Sequence, residues 1–264
     1  MSYLSIPLPR LAIAFALVGL AIALSKKWAL KLERELAVGA IRAAVQLVAI
    51  GYALKILFAA AHPVWVMVAL VVMSLVAAWT AAGRVEHGPP RSILFGRALL
   101  AIGVSALVAL VPVFVFIVIP QPWYDARYLI PIGGMMLSSA MNIVAQTFER
   151  LFASARTEVA TIEACLALGA TPDQAIRPQT HAALRSALTP TINGLVTVGL
   201  VALPGMMTGQ IVSGTPPEEA VRYQLVIMYQ LVAVAAVSGA SAAWLARRLI
   251  FNARSQFRVL DSLP

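Results

Sequence analysis

The chain alternates long apolar runs with short polar segments, and this alternation is its most regular pattern. Several runs approach or exceed the roughly 20 residues that a helix needs to cross the hydrocarbon core of a bilayer. Because lipid offers backbone groups no hydrogen-bond partner, such runs are expected to be helical. We predict seven membrane-spanning helices, at residues 11–25, 38–60, 63–82, 98–119, 129–148, 189–213 and 223–245.

Composition excludes a water-soluble domain. Of the 264 residues, 61% are hydrophobic and 12% are charged, whereas about 25% of a soluble protein is charged. The predicted fold class is therefore all-α: a polytopic bundle of membrane helices that forms a single transmembrane domain over residues 1–264. The single cysteine, Cys165, excludes an internal disulfide, and no Cys/His spacing resembles a zinc site.

The twenty basic residues are distributed unevenly between alternate loops. One set of loops holds fifteen of them, Arg42 lies inside a span, and the other set of loops holds only Arg10, Lys55, Arg127 and Arg222. Cytoplasmic loops carry the excess of Lys and Arg in such proteins. We therefore predict a multi-pass protein of the cell inner membrane, with its N-terminus outside and its C-terminus inside. Without interleaved aromatic residues, the net charge of +9 indicates topology and not nucleic-acid binding.

The first apolar run has a second interpretation. Arg10, followed by an apolar stretch that ends in an A-x-A pattern at residues 21–23, has the form of a cleaved signal peptide. Cleavage would place Lys26 and Lys27 outside, against the bias of the later loops. We therefore interpret the run as a membrane anchor.

The longest loop, residues 149–188, falls on the cytoplasmic side of this topology. Its first half mixes charged and apolar residues at helical spacing and should continue as a helix. Gly169 can end that helix in the left-handed conformation, Thr171 can cap the next one, and Pro172 suits its first turn. A short helix that begins near Pro172 and ends before residues 189–190 is well shaped to dock into a groove on a soluble partner. An ordinary solvated loop is the alternative.

Two sets of residues resemble known transport proteins. Glu163-Ala164-Cys165 followed by Gly169 looks like the E-A-A-x-x-x-G signature of ATP-binding-cassette (ABC) importer permeases, although the later Ile and Leu-Pro of that signature are not at their usual spacing. A broader resemblance rests on Arg156-Thr157-Glu158-Val159, Leu168-Gly169-Ala170, residues 187–193 (ALTPTIN) and residues 198–211 (VGLVALPGMMTGQI). Together these segments resemble the Fet-type iron-export permeases, a family that includes plant aluminium-tolerance membrane proteins.

This resemblance implies a permease subunit of an ABC transporter that exports a metal ion, with two copies forming the pathway and a separate cytoplasmic ATPase supplying energy. None of the four lysines follows a glycine, so the chain has no G-x-x-x-x-G-K-[ST] loop for ATP. We expect it to bind no cofactor and to be a transport subunit, not an enzyme, while its partner hydrolyses ATP. The predicted coupling residues are Glu163, Gly169, Thr171, Pro172, Asp173 and Arg177.

Polar and helix-breaking residues inside the spans are the candidates for a substrate pathway. Pro204 should interrupt the sixth span, and such breaks belong where protein or water can reach the backbone. Ser139, Asn142 and Gln146 recur at helical spacing in the fifth span, so they should face the bundle interior. Close packing of helices and interhelical hydrogen bonding are the alternatives. The predicted pathway residues are Met135, Met136, Ser139, Asn142, Gln146, Asn193, Pro204, Met206, Met207, Thr208 and Gln210, with Thr197 nearby.

The sequence does not identify the substrate or a metal-ligand set. A hard cation would require carboxylates, and the predicted spans contain none, whereas methionines suit a softer metal. Alternatives to a metal exporter are a secondary carrier or channel, or an ABC exporter of a sugar nucleotide or a lipid. An intramembrane enzyme is disfavoured because His62, His87 and His181 lie near span ends or in a loop, without catalytic spacing.

Arg42 and Gln46 lie four apart in the second span, where Arg42 should extend toward the cytoplasmic interface.

Overall fold

The structure is a computed structural model that describes residues 8–60, 62–252 and 256–257. Within these ranges every regular element is a helix, which confirms the all-α membrane bundle. In chain order the helices are α1 (Leu8–Lys27), α2 (Glu33–Ala60), α3 (Pro63–Gly83), α4 (Arg91–Pro112), α5 (Ala126–Thr157), α6 (Val159–Ala167), α7 (Pro172–Ala175), α8 (Arg177–Thr197), α9 (Gly205–Val212) and α10 (Pro217–Ile250). A π-helical turn, Val113–Ile117, prolongs α4.

The chain divides into two compact units, and the first, Met1–Ala61, is a helical hairpin of α1 and α2. Ser25 holds its turn: the buried hydroxyl donates to Oε1 of Glu33 (3.0 Å) and accepts from the backbone N–H of Leu32 (3.2 Å). On α2, Arg42 and Gln46 are both exposed within this unit. The predicted position of Arg42 at the membrane interface stays a prediction.

In the second unit, His62–Pro264, helix α5 packs against α3, α4, α8 and α10. Small side chains allow the close approach, because little volume separates the backbones. A Cβ atom on Gly133 of α5 would lie 2.7 Å from Cδ2 of Leu70 on α3, so only glycine fits there without a shift. Toward the other end of α5, Phe148 and Phe152 are fully buried in the same core.

Five helical segments are long and apolar enough to cross a membrane within the described residues: Glu33–Ala59, Pro63–Gly83, Arg91–Ile117, Ala126–Thr157 and Pro217–Ile250. Helix α1 coincides with the predicted first span, and the predicted sixth span is divided between α8 and α9. The count of seven spans and their orientation stay predictions.

The long loop, residues 149–188, departs from its prediction in two places. The first helix is interrupted at Glu158, which separates α5 from α6. The short helix at Pro172 is a single turn, and α8 begins at Arg177 and continues through Pro190, so the predicted helix end before residues 189–190 is wrong. An interior proline removes one backbone donor, but neighbouring contacts can compensate for that loss. Pro190 frees the carbonyl of Ser186, while the Thr189 hydroxyl donates to the preceding carbonyl, that of Arg185, and so does not replace the lost bond.

Candidate functional site

A polar cavity of about 610 Å³ lies between α5, α8, the segment that follows α8, and α10. Its walls combine hydroxyl and amide side chains with apolar ones: Ser139, Asn142, Ile143, Gln146, Ala187, Pro190, Thr191, Gly194, Thr197, Val198, Ala202, Pro204, Met228 and Leu231. This is within the size range of small-molecule sites. The cavity brings polar side chains of α5 and α8 together.

Helix α5 supplies the polar residues that the periodicity predicted. Ser139, Asn142 and Gln146 lie three and four residues apart, so they share one face of the helix, and all three line the cavity. Ile143 of the same face joins Ala187 and Ala235 in a small apolar cluster between α5, α8 and α10. The cavity therefore has a polar wall on α5 with an apolar contact beside it.

Helix α8 contributes residues that the sequence prediction largely missed. Thr191, Gly194 and Thr197 follow one another at intervals of three and line the cavity, and of these only Thr197 was expected. Asn193, which was predicted, is exposed and is not among the lining residues. The i, i+3 spacing from Thr191 was the available signal. Met228 of α10 was also missed, because a lone methionine in an apolar run carries no such signal.

The predicted methionines of the pathway lie elsewhere. Met136 is fully buried in the main apolar core, and Met135 and Met206 pack against that core. Met207 is partly buried and is not among the lining residues. Of the eleven predicted pathway residues, this cavity brings together Ser139, Asn142, Gln146 and Pro204.

Thr208 and Gln210, on α9, also lie outside the cavity lining. The Thr208 hydroxyl donates to the carbonyl of Pro204 (3.1 Å), so its hydrogen bond is made within the first turn of α9. The Oε1 atom of Gln210 is buried without a hydrogen-bond partner among the described residues. An amide oxygen in that state can accept a bond from a ligand or another chain.

An arginine reaches the cavity wall from the end of α3. The Nη1 atom of Arg84 donates to Oδ1 of Asn142 at 2.6 Å. This bond fixes the orientation of the Asn142 amide and places a positive charge beside the lining. The sequence prediction used Arg84 only as a topology signal, since nothing local indicates which helix the side chain will reach.

The segment 198–204 interrupts the helix between α8 and α9. Gly199 adopts φ +81°, a left-handed conformation that favours glycine. The carbonyl of Thr197 accepts from the backbone N–H groups of Leu200 and Val201, and Gly199 N–H donates to Ala202. Leu200 and Val201 are 90% and 83% exposed in this unit. The predicted break at Pro204 is confirmed, and it forms part of the cavity wall.

The helix interruption in the long loop is built as predicted around Gly169. This glycine has φ +91°, and the residue before it, Leu168, is 89% exposed. Thr171 and Gln174 form a reciprocal cap: the Thr171 hydroxyl accepts from Gln174 N–H (3.3 Å), and Oε1 of Gln174 accepts from Thr171 N–H (2.8 Å). Pro172 occupies the first turn of α7. The local chemistry therefore defines the start of α7 without tertiary contacts.

Three carboxylates at or near this segment contact other helices and loops of the second unit. Asp173 of α7 pairs with Arg247 of α10, with Oδ1 2.7 Å from Nη1. Oε2 of Glu158 accepts from the buried Gln179 of α8 at 2.8 Å. Glu149 of α5 accepts from the backbone N–H groups of residues 86 and 87 (2.7 and 3.3 Å) and contacts the His87 ring. Short polar bonds thus link the loop to the helices that carry the cavity.

The remaining predicted coupling residues have different surroundings. Glu163 is exposed on α6, and Arg177 is exposed at the start of α8, where it lines a separate cavity with Asp173. Glu158 and Gln179 were not predicted to act in coupling, because their contact joins distant parts of the chain. The described residues include no group of three or more His, Cys, Asp or Glu side chains placed to hold a metal ion.

Comparisons with known proteins place this chain in a family. Residues 8–251 match the model of the uncharacterised protein family UPF0014. A UPF0014 membrane protein of Synechocystis sp. is 37% identical, covering 92% of this chain and 93% of the relative. Protein ALUMINUM SENSITIVE 3 of Arabidopsis thaliana is 36% identical over 89% and 84%. The probable iron export permease protein FetB of Escherichia coli is 34% identical over 94% of both.

The fold and the comparisons together define a multi-pass membrane protein. The chain belongs to the UPF0014 family. No solved structure matches it significantly. The recognition of Fet-type permeases and plant aluminium-tolerance proteins from four sequence segments is confirmed.

Proposed function

We propose that this chain is the permease subunit of an ABC transporter, in which two copies form the pathway and a separate cytoplasmic ATPase supplies the energy. The observation that carries the proposal is the polar cavity between α5, α8 and α10, because a bundle of apolar helices gains nothing from such a cavity unless it admits a solute. The relationship to a protein named as an export permease supports the same class.

The ATPase would dock on the surface formed by α6, Gly169 and α7. Leu168 extends from this surface and is suited to enter an apolar groove on a partner. Two of the carboxylate contacts support a mechanical role, since Asp173 of α7 pairs with Arg247 of α10, and Glu158 at the start of α6 bonds to Gln179 of α8. ATP binding would draw two ATPases together and shift the helices toward an outward-open state. Release of solute and hydrolysis would reset the cycle.

For the substrate, the name of the Escherichia coli relative favours iron. The ligands in the described lining are neutral oxygens and one thioether, which suit a reduced or complexed metal better than a bare hard cation. The contact between Arg84 and Asn142 favours a second candidate, a neutral or negatively charged solute. A secondary carrier is the less favoured class, because the predicted spans contain no acidic residue to relay protons.

The deciding experiment is purification of the tagged chain from its own cell membranes under mild detergent conditions, followed by reconstitution into vesicles. We expect an ABC ATPase to co-purify, and its ATP hydrolysis to rise when substrate is supplied on the cytoplasmic side. Iron, other metals, sugar nucleotides and lipids are compared in the same assay. Absence of any ATP-hydrolysing partner, combined with transport that proceeds without ATP, contradicts the proposal.

A further inference from the structure

Two smaller cavities lie at the end of α10 that the charge bias assigns to the cytoplasm, and they share Arg247. One, of about 270 Å³, is lined by Asp173, Ile176, Arg177, Thr180, His181, Leu184, Ala240, Ala243, Trp244 and Arg247. The other, of about 360 Å³, is lined by Pro172, Arg247, Arg248, Phe251 and Asn252. Neither belongs to the polar cavity described above.

The rims of these cavities are basic. Arg177, Arg247 and Arg248 line them, and Asp173 is the sole carboxylate among the described lining residues. Arg247 binds that carboxylate through Nη1. A guanidinium has five N–H donors, so Arg247 can hold Asp173 and a second anion together. The arrangement suits a ligand that carries a phosphate.

The walls below the rim are apolar and lie at the depth of the membrane. Ala240, Ala243 and Trp244 belong to the predicted span 223–245, whereas Arg247 lies just beyond it. Arg248 stacks over the Trp244 ring, with its Cζ atom 3.8 Å from the ring centre. Tryptophan and arginine in this order are typical of the boundary between hydrocarbon and headgroups. A free ion would gain nothing from the apolar wall.

We propose that these cavities bind an anionic phospholipid of the cytoplasmic leaflet. The headgroup phosphate contacts Arg177 and Arg247, and an acyl chain follows Leu184 and Ala240 toward the membrane interior. Basic pockets between membrane helices recognise anionic headgroups in this way. Because Arg247 also holds Asp173, bound lipid borders α7, the one-turn helix of the proposed ATPase contact. The binding itself does not depend on that proposed function.

Native mass spectrometry of the purified full chain tests the proposal directly. Phosphatidylglycerol and phosphatidylcholine with the same acyl chains are titrated in parallel. We expect the wild-type chain to retain phosphatidylglycerol about tenfold better, and the double variant Arg177→Gln/Arg247→Gln to lose that preference. The matched control, Arg150→Gln/Arg185→Gln, removes two exposed cytoplasmic-side arginines that do not line either cavity and should keep it.

A second variant keeps the test valid if the double variant is unstable. Ala240→Phe leaves every charge in place and fills the apolar wall, so phosphatidylglycerol retention should fall severalfold. Equal loss in the arginine variant and its control would mean a general charge effect and would overturn the proposal. Displacement of lipid by millimolar inorganic phosphate would identify a free-anion site instead. Unchanged lipid preference with lost ATPase binding would assign the surface to the protein partner.

Discussion

The chain interrupts its helices at Gly169 and again at Gly199, and the two interruptions are built differently. At Gly169 the next helix starts with a reciprocal cap, and Asp173 anchors it to α10. At Gly199 one carbonyl, that of Thr197, serves several N–H groups, and the apolar side chains beside it are exposed. The first interruption is capped by side chains and tied to α10, whereas the second is held by backbone hydrogen bonds of its own turn, with Leu200 and Val201 largely exposed.

In the proposed transporter, the two interruptions would have different mechanical tasks. A surface that receives force from an ATPase must transmit it, so its contacts should persist through the cycle. A wall of a solute cavity must change shape, and segments with few contacts open at the lowest free-energy cost. We infer that residues 168–176 move as part of the bundle, while residues 198–204 change conformation within it.

The largest effects are expected from two single variants, each of which introduces the same backbone strain at one of the interruptions. Gly169→Val and Gly199→Val each force a β-branched residue into the left-handed region, at a cost of roughly 1–3 kcal/mol. Gly169→Val should lower the stimulation of the ATPase at least tenfold. Gly199→Val should leave basal stimulation intact and remove the substrate-dependent increase. Both are measured as ATP hydrolysis in vesicles.

Asparagine tolerates the left-handed conformation and provides the control at each position. Gly169→Asn and Gly199→Asn should retain most of the wild-type behaviour. Identical loss of basal and substrate-dependent hydrolysis in both valine variants would contradict the division of tasks.

Filling the cavity should produce the next largest effect. Gly194 lines the cavity and has open space at its Cβ position, so Gly194→Leu should reduce transport about tenfold without preventing membrane insertion. Gly96 of α4 also has open space at Cβ but lies outside the cavity, and Gly96→Leu is the matched control. Substrate flux into vesicles is measured for both. Wild-type flux in Gly194→Leu would show that solute does not use this cavity.

A moderate effect is expected from removing the anchor of α7. Asp173→Asn loses the ion pair with Arg247, which is partly exposed and therefore contributes at most about 1 kcal/mol. ATPase stimulation should fall two- to threefold, measured at low ionic strength, and the difference from wild type should shrink in high salt. Glu218→Gln removes an exposed carboxylate elsewhere and should have no effect. Equal stimulation by Asp173→Asn and wild type would contradict the anchoring role.

The smallest effect is expected from the cap alone. Thr171→Ala removes one side of the reciprocal cap, which stabilises a helix start by about 1 kcal/mol. Amide hydrogen exchange over residues 171–176 should accelerate about fivefold, whereas Thr171→Ser should resemble wild type. Exchange over residues 198–204 should be fast in all three proteins. Slower exchange in that segment than at the capped turn would reverse the comparison.

Features that depend on local chemistry could be predicted from the sequence. The cap at Thr171, the left-handed Gly169 and the break at Pro204 follow from the conformational limits of these residue types. The polar face of α5 followed from helical periodicity. The membrane-spanning character of the chain could be predicted from its apolar runs alone.

Features that join distant segments could not be predicted. Arg84 reaches Asn142, and Glu158 reaches Gln179, because of how helices pack, and nothing in either segment identifies the residue it contacts. The helix end predicted before residues 189–190 was wrong because proline is a common helix boundary, yet Pro190 lies within α8 beside the cavity. Asp173 was predicted as a coupling residue, and its pairing with Arg247 required the tertiary structure.

The length of α5 has a consequence for how motion at its ends could reach the solute cavity. Its 32 residues extend about 48 Å, and the cavity residues Ser139, Asn142 and Gln146 lie near its midpoint. A rocking motion of about 5° around that midpoint would displace the two ends by roughly 2 Å in opposite directions. The solute would stay near the fulcrum while one gate narrows and the other widens. Helix α5 would thus act as a lever that rotates about its midpoint, where the solute is bound.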